Sequence, residues 1–277
     1  MRFHVVDAFT DRPFAGNPAG VVVLPAGEWP ADARLQAAAA ELAHPETAFV
    51  LPGASDAEGE IRWFTPTVEA SLCGHATLAA AHVLHTEHGR TGTLALSSRR
   101  HGTLFARIDA DGAITLDFPA APHHPAPVPE GLVAALGGAA VPEAVFTTGA
   151  LGDLLVVLAD EAAVHAVRPD FLAIAALTAR EGLRGLAVTA PAADPAGSGY
   201  AFASRFFAPA HGIPEDPVTG SAHTAFAPYW AARLGRDGLV GAQGSARRGR
   251  VRTEVVGDRV LLAGGALTTV TGELHVF

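Results

Sequence analysis

The sequence predicts an α+β chain of two similarly built halves. Strand-like and helix-like stretches alternate along 277 residues, and their order recurs after a proline-rich stretch near the middle. One pattern also occurs once on each side: an aromatic residue, one further residue, a proline, a loop, and a glycine opening an alanine-rich helix. The copies are FTPTVEASLCGHATLAAAHVL and FFAPAHGIPEDPVTGSAHTAFAPYW, and they set Gly74 against Gly220, about half the chain apart. Self-similarity at that distance points to a repeated unit, and the length suits two domains with a core each.

The elements follow in order. RFHVVDAFTDRPFAGNPAGVVVL reads as strand, Pro/Gly/Asn turn, strand. Leu35 to Leu42 is alanine-rich with apolar residues at helical spacing. Pro45 stops that run, because proline cannot donate to the helix ladder and turns His44 away from helical angles. Ala48 to Leu51 then reads as a short buried strand, and GEIRWFTP as another. The helix GHATLAAAHVLHTEHG is closed by Gly89. Strands at Thr93–Leu96, Thr103–Ile108 and Ala113–Phe118 finish the half, with Ala110-Asp111-Gly112 as a hairpin turn. PAAPHHPAPVP, residues 119–129, has the proline density of a semi-rigid linker. Beyond it come a strand at Ala144–Thr148, a glycine turn, the strand LLVVL, a helix around Phe171–Leu177 and the strand LRGLAV. The expected domains are 1–118, completed by a last strand at about 270–277, and 119–269.

Composition narrows the function. With 49% hydrophobic and 17% charged residues the chain is globular rather than disordered. A net charge of -9 argues against a nucleic-acid partner, which calls for a basic face. The one cysteine, Cys73, excludes an internal disulfide and fits a cytoplasmic, reducing compartment. No leader pattern opens the sequence and no apolar run is long enough to span a bilayer, so no membrane partner is expected.

The chemistry gathers at a few places. Glu46, in HPETAFV, is either the exposed end of a loop or a carboxylate held at the rim of a core, where it would suit general acid or base work. Each glycine-led helix start offers free backbone N–H groups and a positive dipole end to an anion, which suggests a carboxylate-bearing ligand near Gly74–Ala76 and Gly220–Ala222. His75 and Ser221 follow the two glycines, and Asp216 lies on the loop before the second; a cleft between the halves is the expected place for a small molecule. Asp216-Pro217 reads equally well as a helix-entry motif, and Cys73 either as a thiol with lowered pKa at a helix start or as a small buried residue. His82, His85 and His88 recur every third position, the spacing of a metal site but also of a solvated helix face, which is the expectation here. No phosphate loop, dinucleotide fingerprint, HExxH or GxSxG occurs.

HPETAFV, TPTVEASLCGHATLAAA and FFAPAHGIPEDPVTGSAH, together with VDAFTDRPFAGNPAGVVVL, resemble the PhzF-like isomerases of the phenazine-biosynthesis type, within the diaminopimelate-epimerase fold superfamily. The resemblance runs from the first strand to Trp230. It implies two pseudo-symmetric domains, each a curved mixed sheet around a central helix, no cofactor, and a homodimer; the missing zinc spacings lead to the expectation of no metal. It implies that Glu46 is the catalytic acid/base, that His75, Asp216 and Ser221 bind and orient the substrate and assist proton movement, and that Gly74 and Gly220 are the glycines at the two helix starts; Cys73 and Ala76, beside Gly74, are expected to bind the substrate with them. The sequence departs from the family's usual pattern at Ala43-His44-Pro45 and at Ala70-Ser71, which bears on the substrate more than on the reaction.

Epimerases of that superfamily use one cysteine from each half. Here Cys73-Gly74-His75 is matched by Thr219-Gly220-Ser221, and a threonine hydroxyl is too weak an acid to serve as the second base. The expectation is therefore a cofactor-independent isomerase in which one carboxylate moves a proton within a small carboxylate-bearing unsaturated or cyclic metabolite. A non-catalytic carboxylate-binding protein on the same fold is the alternative.

Overall fold

A computed structural model describes residues 1–55, 57–138 and 140–275. The chain forms two compact units, Met1–Phe118 joined by the chain from Leu262 onward, and Pro119–Leu261.

The first unit contains β1 (Arg2–Ala8), β2 (Asn17–Val23), α1 (Asp32–Leu42), β3 (Glu46–Pro52), β4 (Glu58–Phe64), β5 (Glu69–Ala70), α2 (Gly74–His88), β6 (Gly92–Ser98), β7 (Gly102–Ile108) and β8 (Ile114–Pro119). The second follows with β9 (His124–Pro125), α3 (Leu132–Ala135), β10 (Ala144–Thr147), β11 (Asp153–Val157), α4 (Glu161–Ala166), α5 (Phe171–Glu181), β12 (Gly185–Pro191), α6 (Pro195–Ser198), β13 (Phe202–Ala208), β14 (Ile213–Asp216), α7 (Gly220–Leu234), β15 (Gly238–Gln243) and β16 (Gly249–Val256). After β17 (Arg259–Gly264), β18 (Ala266–Glu273) pairs antiparallel with β1 and so belongs to the first unit.

The strand pairing is the same in both. In the first unit β1–β2 is antiparallel, β2–β3 parallel, β3–β4 antiparallel, β4–β6 parallel and β6–β7 antiparallel. In the second, β10–β11, β11–β12, β12–β13, β13–β15 and β15–β16 repeat that series. A 15-residue helix precedes the fourth parallel or antiparallel partner in each case, α2 before β6 and α7 before β15. The shared pattern of aromatic, proline and glycine thus marks one building plan used twice.

The plan buries its helices deeply. Residues 75 to 81 of α2 are buried without interruption, four of them alanines whose small side chains let the helix lie close against the strands. In the second unit the period-2 alternation of β11 sends Leu154 and Val156 to a cluster with Ile174 and Leu177 of α5, and Leu155 and Val157 to one with Phe226 and Trp230 of α7. A strand covered on both faces has no polar side, which is why LLVVL reads as a continuous apolar run.

Three sequence expectations need correction. Residues 119–129 are not a plain spacer: His124 and Pro125 pair with Thr147 and Phe146 of β10, and His123 packs edge-on against Phe146 and Tyr229. Pro228 supplies part of the reason. Lying inside α7, it has no N–H for the carbonyl of Thr224, and that carbonyl accepts from the N–H of Ala121 instead, at 3.0 Å. The helix before Glu46 ends at Leu42, where Ala43 takes a left-handed conformation with φ of 52° and its N–H bonds to Ala39; Pro45 keeps it from resuming. The histidine row is only partly solvated. His82 meets the Thr268 hydroxyl at 3.2 Å, His85 Nδ1 lies 2.8 Å from the Arg90 carbonyl, and His88 alone is exposed. Among the described residues no helix is long and apolar enough to cross a membrane.

Candidate active site

Glu46 opens β3, directly after the turn made by Ala43 and Pro45, and is only 8% exposed. Of the two sequence readings, loop end or core rim, the second holds. Its Oε2 lies 3.2 Å from Nε2 of His75. The approach is not aligned as a hydrogen bond, and Glu46 Oε2 has no hydrogen-bond partner among the described residues although it is buried. A buried carboxylate oxygen left in this state costs free energy, on the order of 1–3 kcal/mol, and calls for a function.

His75 is the second residue of α2, 3% exposed. Its Nδ1 lies 3.1 Å from Nδ2 of Asn17, the first residue of β2, and 3.5 Å from Sγ of Cys73. Cys73 is the N-cap of α2 in extended conformation, and no side chain caps the helix. The backbone N–H of Ala76 bonds toward the Cys73 sulfur. The structure brings Glu46, Cys73, Gly74, His75 and Ala76 to one place, and adds Asn17. In the sequence Asn17 stands before Pro18 in what reads as a turn; its position three strands' register away from the helix start gives no local signal.

Electrostatics favour an ion pair here. Burial works against charge on His75, but the neighbouring Cys73 and Glu46 outweigh it and hold the imidazole pKa well above its ordinary value. Burial, reinforced by the Glu46 charge, pushes the Cys73 thiol up, with His75 opposing only in part. The helix start does not lower that thiol's pKa. Glu46, Cys73 and His75 also offer one ligand atom each within 4.8 Å of one another, the reach of a metal site with mixed oxygen, sulfur and nitrogen donors.

The second unit builds a different set. Asp216, 8% exposed at the end of β14, accepts the Thr219 hydroxyl at 2.6 Å, and Gln243 donates to the Asp216 carbonyl and to the Thr219 Oγ1, both at 2.9 Å. The Gln243 carbonyl oxygen accepts the Thr219 N–H at 2.9 Å. Thr219 is the extended N-cap of α7, again without a side-chain cap. The hydroxyl of Ser221, after Gly220, accepts from Arg184 at 3.0 Å. Arg184 in turn grips Asp153, 1% exposed, through Nε at 2.8 Å and Nη2 at 2.5 Å. Burial raises the Asp153 pKa despite that guanidinium. Sequence reading misses Arg184, directly before β12, Asp153, which opens β11, and Gln243, which ends β15.

Comparison with known proteins agrees on one family. The model of the family described as phenazine biosynthesis-like protein matches residues 6–272. An uncharacterized isomerase of Pseudomonas aeruginosa is 45% identical over 272 residues, covering 98% of this chain and 97% of that protein. A human phenazine biosynthesis-like domain-containing protein is 36% identical over 286 residues, covering 98% and 97%. Among solved structures, a PhzF family protein of Enterococcus faecalis superposes with a TM-score of 0.89 at 37% identity, covering 99% of this chain and 98% of that one. A predicted epimerase of Pseudomonas aeruginosa, at TM-score 0.70 and 24% identity over 99% of both chains, shares the fold.

Proposed function

Because the chain belongs to the phenazine biosynthesis-like family of PhzF-type isomerases, we propose that it is a cofactor-independent isomerase in which Glu46 moves a proton within a small carboxylate-bearing unsaturated or cyclic metabolite. The observation that carries this is the buried Oε2 of Glu46, unpartnered among the described residues and 3.2 Å from His75. Such hydrogen bonds are often poorly aligned without substrate and tighten when it binds.

The carboxylate takes a proton from a carbon conjugated to the substrate's acid group. The electron pair left behind delocalises toward that acid group, and Glu46, whose proton exchanges with water, returns a proton to another carbon, so the formula of the substrate is unchanged. His75 supports the carboxylate from one side. Cys73, whose thiol pKa burial pushes up, takes no part as a base, while the start of α2 holds negative charge on the substrate. In the second unit Asp216, Gly220 and Ser221 bind and orient the substrate. The molecule acts as a homodimer.

The test is a panel of small unsaturated and cyclic carboxylic acids incubated with the protein in deuterated water and read by mass spectrometry. One acid should gain deuterium with the wild type and not with Glu46→Gln. An acid that binds, yet exchanges no hydrogen under any condition, would establish the non-catalytic binding protein instead.

A further inference from the structure

Asn17 Nδ2 lies 3.1 Å from His75 Nδ1, with both side chains buried. We infer that Asn17 is a positioning residue that decides where His75 carries its proton, so that an N–H faces Glu46 in both charge states of the ring.

The groups facing His75 are few. Glu46 on β3 approaches Nε2, Asn17 on β2 approaches Nδ1, and Cys73 at the head of α2 lies 3.5 Å from Nδ1 and 3.9 Å from Nε2. With the Asn17 amide nitrogen toward Nδ1, that ring nitrogen must accept, since an amide N–H can only donate. The neutral ring then has its one N–H on Nε2, the ring nitrogen 3.2 Å from the Glu46 carboxylate. The Cys73 S–H, a weak donor at 3.5 Å, favours the same tautomer. Protonation adds an N–H at Nδ1, which two donors would repel. An asparagine can answer by a half-turn of its amide, which brings the oxygen to Nδ1; a carboxylate or an apolar residue there cannot serve both states. Nε2–H is retained throughout, and only Asn17 changes its orientation. The fixing of a histidine tautomer by the partner of its other nitrogen is a general device. What is specific here is that the partner is amphoteric, which matches a ring whose neighbours favour its charge while burial resists it.

The inference rests on the proposed role of the Glu46–His75 pair, but its test needs no substrate and can fail independently. Full-length protein with isotope-labelled histidine is titrated by NMR, the His75 signals being assigned by their loss in His75→Gln. The neutral ring should carry its proton on Nε2. Asn17→Asp, nearly isosteric but acceptor only, should raise the titration midpoint by about one pH unit or more, and Asn17→Leu should lower it. A neutral ring protonated at Nδ1 would overturn the inference. So would an unchanged midpoint in Asn17→Asp with cooperative melting retained. If the wild-type ring stays charged across the stable pH range, Asn17→Leu must bring its titration into view, and failure to do so overturns the inference equally; should that variant not fold, Asn17→Ser serves in its place.

Discussion

Gly185 stands in the second unit where Glu46 stands in the first. Each opens a seven-residue strand that ends in proline, and the residue after each, Leu186 and Thr47, lies opposite Phe207 and Phe64. No side chain fits at Gly185, where an added Cβ would meet the Phe206 ring at 2.6 Å and the Phe207 carbonyl at 2.8 Å. The repeated plan therefore carries a carboxylate at this position in one unit only. Together with Thr219 opposite Cys73 in the repeat, this asymmetry supports proton movement by one group rather than inversion between two.

Glu46→Gln keeps the side chain's length and shape but cannot cycle a proton. Turnover of the acid found in the deuterium screen should fall on the order of 10²-fold or more, while its dissociation constant changes far less. Asp216→Asn, which alters the acceptor of the Thr219 hydroxyl, should weaken binding as well as turnover. Near-normal turnover in Glu46→Gln would move the search for the base to His75 or Asp216.

The legible parts of this molecule are those whose signal is local. The glycine that opens each long helix, the proline that turns the chain before Glu46, and the apolar run of β11 each act within a few residues, and each can be read from the sequence. The Glu46–His75 contact spans two elements and becomes legible only through a family resemblance. Asn17 and Arg184 are not legible at all. Asn17, which opens β2, reads in the sequence as part of a turn whose composition is explained without any site, and Arg184 precedes a strand 37 residues before the serine it touches. The docking of residues 119–129 escapes for the same reason, because it depends on a carbonyl exposed by Pro228 far along the chain.

Arg184 and Asp153 form an ion pair in which one partner is almost wholly buried and the other about one-third exposed. Removing the cation leaves Asp153 buried without compensation. Arg184→Met should destabilise the protein by about 3 kcal/mol, and Arg184→Met with Asp153→Leu should recover much of that loss. Urea unfolding at neutral pH measures both. A single variant as stable as the wild type would mean that the carboxyl is held neutral by its surroundings without help from Arg184.

The donor set of Glu46, Cys73 and His75 makes metal dependence a sharp question. In the proposed mechanism Glu46 must keep an oxygen free to take a proton, so a cation bound there would compete with turnover. Exhaustive dialysis against a chelator should leave deuterium exchange unchanged, and added zinc should inhibit. Activity lost on chelation and restored by one metal ion per chain would replace the proposed mechanism with a metal-assisted one.

His223 predicts how the fold responds to acid. It is fully buried on α7, its Nδ1 is 2.9 Å from the Thr219 carbonyl, and its Nε2 has no hydrogen-bond partner among the described residues while the rings of Phe202 and Phe226 pack beside it. Burial lowers its pKa to about 4, only partly offset by the Thr219 carbonyl. Above pH ~6.5, the ordinary imidazole value, the ring is neutral in folded and unfolded chains and stability does not depend on it. Between that value and about 4 the unfolded chain takes up a proton that the folded one refuses, so stability falls as the pH falls. Below about 4 both states are protonated and the loss levels off. At pH ~4.5 the loss attributable to His223 should be about 2.5 kcal/mol. His223→Asn keeps an amide N–H near Nδ1 but cannot titrate. It should be less stable than the wild type at pH ~7, because it leaves a cavity, and should close most of that gap by pH ~4.5. Urea unfolding at the two pH values gives the comparison, with the carboxylates common to both proteins cancelling in the difference. If the gap is the same at both, His223 is not the group that makes the fold acid-sensitive.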